Sequence, residues 1–241
     1  MKKIIKLLMS LLSINSLAQA SHPLRGDDAK LIGIRMIQVE ILGDYFYNPD
    51  VRQLDIPTII TIGMNNKTDL IFSFPSHYLN GSENKIGIGD ISVEYKYQLF
   101  NNTELSLCIK PVLIIGSSDW EKGFGNGKHN YGLSFVTSKF NDKYDLHFNV
   151  SLLTNYNNFN DNNFVWNASL AGEFYIVEEF VFLVETGISK SVEEKNKFPV
   201  YGLIGTCFQL SDQLALDVGL MKNLNVKDNT TGILCGVSFL F

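Results

Sequence analysis

Ten ionisable residues are set singly into runs in which every second residue is apolar: Glu40, Asp44, Asp90, Glu94, Lys96, Lys110, His147, Glu173, Glu185 and Asp217. Gathered on one face, such groups suit two kinds of chemistry. They can pair into a salt-bridged, solvated interior, or their excess of acid over base can draw cations and polar solutes along a path, as acidic rings do. Both readings stay open. The glycine-rich stretch GFGNG at 123–127 could be taken for a phosphate cradle, but that use needs a strand before it and a helix after it within a βαβ unit, and neither is readable here. Cys108, Cys207 and Cys235 are odd in number and lie inside apolar runs, which suits small strand residues better than a disulfide framework or a metal site. No metal or cofactor is expected.

The elements that would carry these charges show best at the C-terminus. In 231–241, Ile233, Cys235, Val237, Phe239 and Phe241 fall on one face and Leu234, Gly236, Ser238 and Leu240 on the other. Period two with one continuous apolar face marks a strand. Ile91, Val93, Tyr95, Tyr97 and Leu99 alternate in the same way with Asp90, Ser92, Glu94, Lys96 and Gln98. The pattern recurs at 105–113, 146–152, 166–175, 182–188 and 214–218. Short polar turns at 64–67, 100–103, 140–143, 176–179 and 210–213 alternate with longer loops near 47–52, 75–87, 116–130, 156–164, 190–198 and 222–230. Five turns and six loops separate twelve strands. The run 198–209 accepts either facing, and Pro57 and Pro111 each fall inside a strand, where a ladder bond must be lost or a bulge formed.

Residues 1–20 carry Lys2, Lys3 and Lys6, then a largely apolar stretch from Leu7 to Leu17, then Ala18-Gln19-Ala20. That is the layout of a secretory signal peptide. Its removal takes three lysines from the 20 basic residues and none of the 25 acidic ones, a formal balance of −8. So acidic a chain has no footprint for nucleic acid. No later run approaches the ~20 apolar residues of a spanning helix, yet 45% of the residues are hydrophobic, with 17 Phe and 10 Tyr. Apolar residues hidden in alternation in an exported chain are the signature of a transmembrane β-barrel. The expectation is therefore an all-β protein: a signal peptide at 1–20, an N-terminal periplasmic segment at 21–32, and a single antiparallel outer-membrane barrel of about 12 strands at 33–241. Its turns would be periplasmic and its loops external. The apolar parity puts the ten ionisable residues in the lumen, because in lipid each would cost several kcal/mol. Asp27 and Asp28 are placed near the periplasmic mouth, and the 21–32 segment fits a plug as well as a free tail. Phe239 and Phe241 resemble the terminal signal read by the outer-membrane assembly machinery. That machinery and outer-membrane lipid are the expected partners.

A barrel hydrolase is the enzymatic alternative. Outer-membrane phospholipase has a nucleophilic Ser two residues after its base His; here His22, His77, His129 and His147 are followed there by Leu24, Leu79, Tyr131 and Asn149. His147 and Ser151 share a face, but four residues along a strand is about 13 Å, beyond the reach that activates a hydroxyl.

The segment His22-Pro23-Leu24-Arg25-Gly26-Asp27-Asp28 resembles the opening of the family called putative "MetA-pathway of phenol degradation" outer-membrane proteins. The stretches 87–96, 107–111 and 123–133 follow the family in order. Gly26 stands where the family usually has Thr, and the family's Gly-x-Gly after Asp28 is reduced to Ala29-Lys30-Leu31. The resemblance implies a channel or transporter for small solutes, aromatic or hydrophobic, without catalytic residues. A closed structural or surface-interaction barrel is the alternative.

Overall fold

The computed structural model describes residues 21–47, 52–80, 84–177, 179–192, 197–225 and 230–241. The leader expected at 1–20 lies outside these residues. In chain order the strands are β1 (Ile37–Tyr47), β2 (Arg52–Asn65), β3 (Thr68–Asn80), β4 (Asn84–Ile88), β5 (Ile91–Asn101), β6 (Leu105–Ile115), β7 (Asn130–Phe140), β8 (Tyr144–Thr154), β9 (Phe164–Val177), β10 (Phe180–Ser189), β11 (Val200–Ser211), β12 (Leu214–Asn223) and β13 (Thr231–Leu240). Among the described residues the sole helical element is a 3₁₀ turn at Trp120–Lys122.

Every ladder is antiparallel. β1 pairs with β2 on one side and with β13 on the other, so the twelve long strands close on themselves. Twelve long strands form the wall. β4 is a short arm that pairs with the end of β3, Ser76 opposite Ile88 and Asn80 opposite Asn84. The stretch 75–87, expected to be loop, is thus partly strand. Ile86 and Ile88 on that arm are well exposed, and β5 takes over the pairing with β3 only at Ser73 opposite Ser92.

The wall obeys one parity. Phe148, Leu170, Ile204, Phe208, Leu216, Val218, Leu220 and Ile233 are exposed outward, while their chain neighbours turn in. Residues 198–209, ambiguous in the sequence, follow suit: Leu203 and Cys207 are buried, and Ile204 and Phe208 exposed. The register reflects the prolines as well. β1–β2 pairing runs to Ile41 opposite Thr58 and resumes at Asp44 opposite Asp55, skipping Pro57. β5–β6 pairing skips from Glu94 opposite Val112 to Tyr97 opposite Ile109, skipping Pro111. Proline has no N–H for the ladder.

Candidate functional site

The inward face is charged and polar, and the N-terminal segment lies against it. Residues 21–36 form no regular element, so their backbone groups need partners from elsewhere. The wall supplies them. Glu185 accepts the Arg25 N–H at 2.5 Å and the Gly26 N–H at 2.9 Å, and its Oε1 also accepts the Tyr201 hydroxyl at 2.9 Å. Asn149 accepts the Asp27 N–H at 3.1 Å and donates to the Asp27 carbonyl at 2.9 Å. Ser138 Oγ accepts the Ala29 N–H at 2.8 Å. Three donors meet on the Ala29 carbonyl: Gln98 Nε2 at 3.0 Å, Ser106 Oγ at 3.0 Å and Cys108 Sγ at 3.2 Å. Asp69 accepts the Ile32 N–H at 3.1 Å.

Side chains complete the seating. His22 bridges two carboxylates, Nδ1 bonding Asp217 and Nε2 standing 3.0 Å from Asp44. Burial on its own would lower the basicity of this imidazole, but the hydrogen bonds and charges of Asp217 and Asp44 prevail and raise its pKa to about 9. The carboxylate of Asp27 reaches Lys110 at 2.6 Å and Lys96 at 3.2 Å; Lys110 also pairs with Glu94 at 2.9 Å, and Lys96 with Asp28 at 3.5 Å. Lys30 pairs with Asp145 at 2.8 Å, which also accepts the Tyr175 hydroxyl. Leu24 is buried in an apolar cluster with Leu183, Leu203, Met221 and Leu234. Two glycines make the close approach possible. A Cβ on Gly63 would lie 1.6 Å from the Gly33 carbonyl oxygen, and one on Gly26 2.7 Å from both Asn149 and Ser169. The glycine at 26 is thus matched to its seat.

These contacts change the meaning of the ten ionisable residues. Glu40, Lys96, His147, Glu185 and Asp217 are buried, and Asp44, Glu94, Lys110 and Glu173 are partly so. Asp44, Lys96, Lys110, Glu185 and Asp217 bind the N-terminal segment directly. Asp27 and Asp28, expected near the mouth, instead meet lysines at mid-strand in β5 and β6, because two buried ammonium groups need carboxylates beside them. The 21–32 segment likewise lies inside the wall rather than beyond it. Asp90 stands apart, past the end of the β5 ladder, where it pins the 116–127 loop: it accepts the Ser117 N–H at 3.1 Å, the Ser118 N–H at 3.0 Å, the Ser118 hydroxyl at 2.6 Å and the Asn126 N–H at 3.0 Å. Sequence reasoning missed Asp69, whose alternation with Leu70 and Phe72 would have placed it inside, and Asp145, which shares the parity of His147; it also missed the seating donors Gln98, Ser106 and Cys108 and the acceptor Ser138.

One cluster resembles a hydrolytic triad. Ser138 Oγ lies 2.7 Å from His147 Nδ1, and His147 Nε2 3.3 Å from Glu173. Ser138 is fully buried, however, and its oxygen already accepts the Ala29 N–H. It holds the segment and offers no open approach to a substrate. Cys108, Cys207 and Cys235 are free thiols. Among the described residues no group of three or more His, Cys, Asp or Glu is placed to hold a metal ion.

The segment does not fill the barrel. Between it and β1, β2, β3, β5 and β6 remains a cavity of about 260 Å³. Leu42, Ile59 and Ile71 give it an apolar side, and Glu94, Lys96 and Lys110 a charged one.

Comparison with known proteins now bears on this geometry. The profile of the "Putative MetA-pathway of phenol degradation" family matches residues 51–241. The chain belongs to this family. The N-terminal segment and β1 precede the matched stretch. No curated protein matches the chain. Among solved structures, the COG4313 outer membrane channel from Pseudomonas putida F1 superposes with a TM-score of 0.73 at 10% identity, over 90% of this chain and 100% of that one. The KdgM porin in complex with disordered oligogalacturonate gives 0.63 at 9% identity, over 84% and 98%. The CymD monoaromatic hydrocarbon channel gives 0.51 at 9% identity, over 86% and 88%. At these identities the likeness is one of fold: a closed barrel of the kind outer-membrane channels and porins share.

Proposed function

We propose that this family member is an outer-membrane channel that admits small solutes, aromatic or hydrophobic with a polar handle, and is not an enzyme. The observation that carries the reading is the cavity between residues 21–32 and the wall of β1 to β6, apolar on one side and charged on the other. A cavity that sets a few aliphatic side chains beside placed polar and charged groups suits a small amphipathic ligand. The signal-peptide layout of 1–20, the largely apolar outer face, and the resemblance of Phe239 and Phe241 to an assembly signal support placement in the outer membrane by its assembly machinery, with turns periplasmic and loops external. The names of the neighbouring structures, which include a monoaromatic hydrocarbon channel, and of the family itself support the solute class. No cofactor enters this scheme.

The path runs past Glu94, Lys96 and Lys110, whose charges are shared with Asp27 and Asp28. Such pairing leaves little net charge to favour ions of either sign, so weak ion selectivity is the expected behaviour. Conductance of the mature protein in planar bilayers tests this, with ion selectivity measured before and after Glu94→Gln. Small, weakly selective steps whose preference shifts with the substitution support the channel. Complete absence of steps from correctly folded barrels would leave the structural or surface-interaction barrel as the better account.

A further inference from the structure

The outer face of the wall changes character at the loop end of β2, β1, β13 and β12. Tyr47 stands opposite Arg52 on one side and Thr231 on the other, and Thr231 stands opposite Lys222, so the four residues share one rung. They share one face as well. Tyr47 has the parity of Ile41, Arg52 that of Ile56, Thr231 that of Ile233 and Lys222 that of Leu220, each of which is exposed outward. The rungs nearer the middle of the wall are apolar. Leu54, Tyr45, Ile233 and Leu220 form the next one, and Ile41, Val237 and Leu216 form another lower down.

Cations are strongly disfavoured among lipid tails, so the rung of Arg52 and Lys222 must stand at head-group level, where long basic side chains reach polar surroundings. A general polar rim does not account for them. On β6 to β10 the outward positions at the same end are Ile115, Tyr131, Thr154, Phe164 and Ile188, none of them charged. The charge is gathered on one arc and is of one sign, and among the described residues no carboxylate pairs with either cation. The two are three strand spacings apart, about 14 Å. Arg52 leans into that gap, its guanidinium 5.7 Å from the centre of the Tyr47 ring. Tyr47 and Thr231, which stand between the cations, add hydroxyl donors.

We propose that this row binds the phosphorylated head group of an anionic lipid in the leaflet at the loop end of the barrel. Arg52 and Lys222 grip the phosphate oxygens from either side, with the hydroxyls of Tyr47 and Thr231 between them. The acyl chains lie down the wall on Leu54, Tyr45, Ile233 and Leu220. A lipid whose phosphate is neutralised by a cation of its own is a poorer fit, because that cation would meet Arg52 and Lys222. The site rests on the membrane placement proposed above, with loops external, but needs no pore.

Native mass spectrometry on the protein produced without residues 1–20, released from detergent micelles, tests the site with diphosphoryl lipid A and with zwitterionic phosphatidylcholine. Arg52→Gln and Lys222→Gln should each weaken lipid A binding about fivefold, and together about thirtyfold, the worth of one and of two cations at an anionic surface. The double variant should then hold lipid A no better than phosphatidylcholine. Lys139→Gln, which removes an exposed cation at the turn end of β7, should leave lipid A binding unchanged. Heat-modifiable gel migration confirms that each variant is a folded barrel. Equal affinity of the wild type for the two lipids would overturn the assignment. So would lipid A binding that survives the double substitution, or that falls as far in Lys139→Gln. Displacement of lipid A by millimolar inorganic phosphate would also overturn it, since the acyl chains would then add nothing. A protein that stays soluble without detergent would remove the membrane placement, and the site with it. Lipid A preference in a barrel that never conducts would keep the site and remove only the passage.

Discussion

Cys108 is a native reporter of whether the N-terminal segment is seated, since it is 2% exposed and its thiol donates to the Ala29 carbonyl. Asp27→Ala should expose it. The carboxylate lost in that variant binds two ammonium groups, at 2.6 and 3.2 Å, with its own side chain only 23% exposed. Removing one member of a buried pair costs roughly 3–5 kcal/mol. Here the cost is smaller, because Lys110 keeps Glu94 and Lys96 keeps Asp28. About 2 kcal/mol is the reasonable figure, equivalent to about a thirtyfold change in the seated-to-unseated ratio. If alkylation of Cys108 requires unseating, its rate should rise by about the same factor. Peptide-level mass spectrometry distinguishes it from Cys207 and from the lipid-facing Cys235. A Cys108 rate unchanged in Asp27→Ala would refute the claim that this ion-pair cluster holds the segment.

Other consequences follow from the same contacts. The pKa of His22 is raised to about 9 from an ordinary 6.5, so its contribution to seating is full below about pH 6.5 and is lost as pH rises through 9. Conductance should therefore grow between pH 7 and pH 10, and the growth should vanish in His22→Ala; a flat profile in the wild type would count against the bridge to Asp44 and Asp217. At the C-terminus, Phe241→Ala should slow assembly without altering the finished barrel, visible as a smaller heat-modifiable fraction early after synthesis. Unchanged assembly kinetics would mean that Phe241 is only a wall residue.

The wall was legible because lipid imposes a rule that every strand must obey. One face of each strand is apolar, and Ile233 to Phe241 display it without interruption. The rule lapses where lipid ends. His77, Leu79 and the β4 arm extend past the wall and carry no such signature, so 75–87 read as loop. Asp90 kept the parity of β5 and so read as a lumen group, although its work is to fold a loop beyond the ladder. The N-terminal segment was harder for a different reason. It has no period, and its partners are spread over β1, β3, β5, β6, β7, β8, β10 and β12, so no local pattern joins them. Counting acids along strands left a salt-bridged interior and a cation-attracting one both open. What the count could not include is that His22, Lys30 and the N–H groups of Arg25 and Gly26 come in to meet those acids.

The most direct test of the account is single-channel conductance of the protein produced without residues 1–20, compared in one experiment with Asp27→Lys, which sets a third cation against Lys96 and Lys110. The account predicts small steps from the wild type, because residues 21–32 occupy the lumen and leave beside them a cavity of about 260 Å³, and larger or more frequent ones from the variant. Folded barrels that are silent in both forms would contradict it.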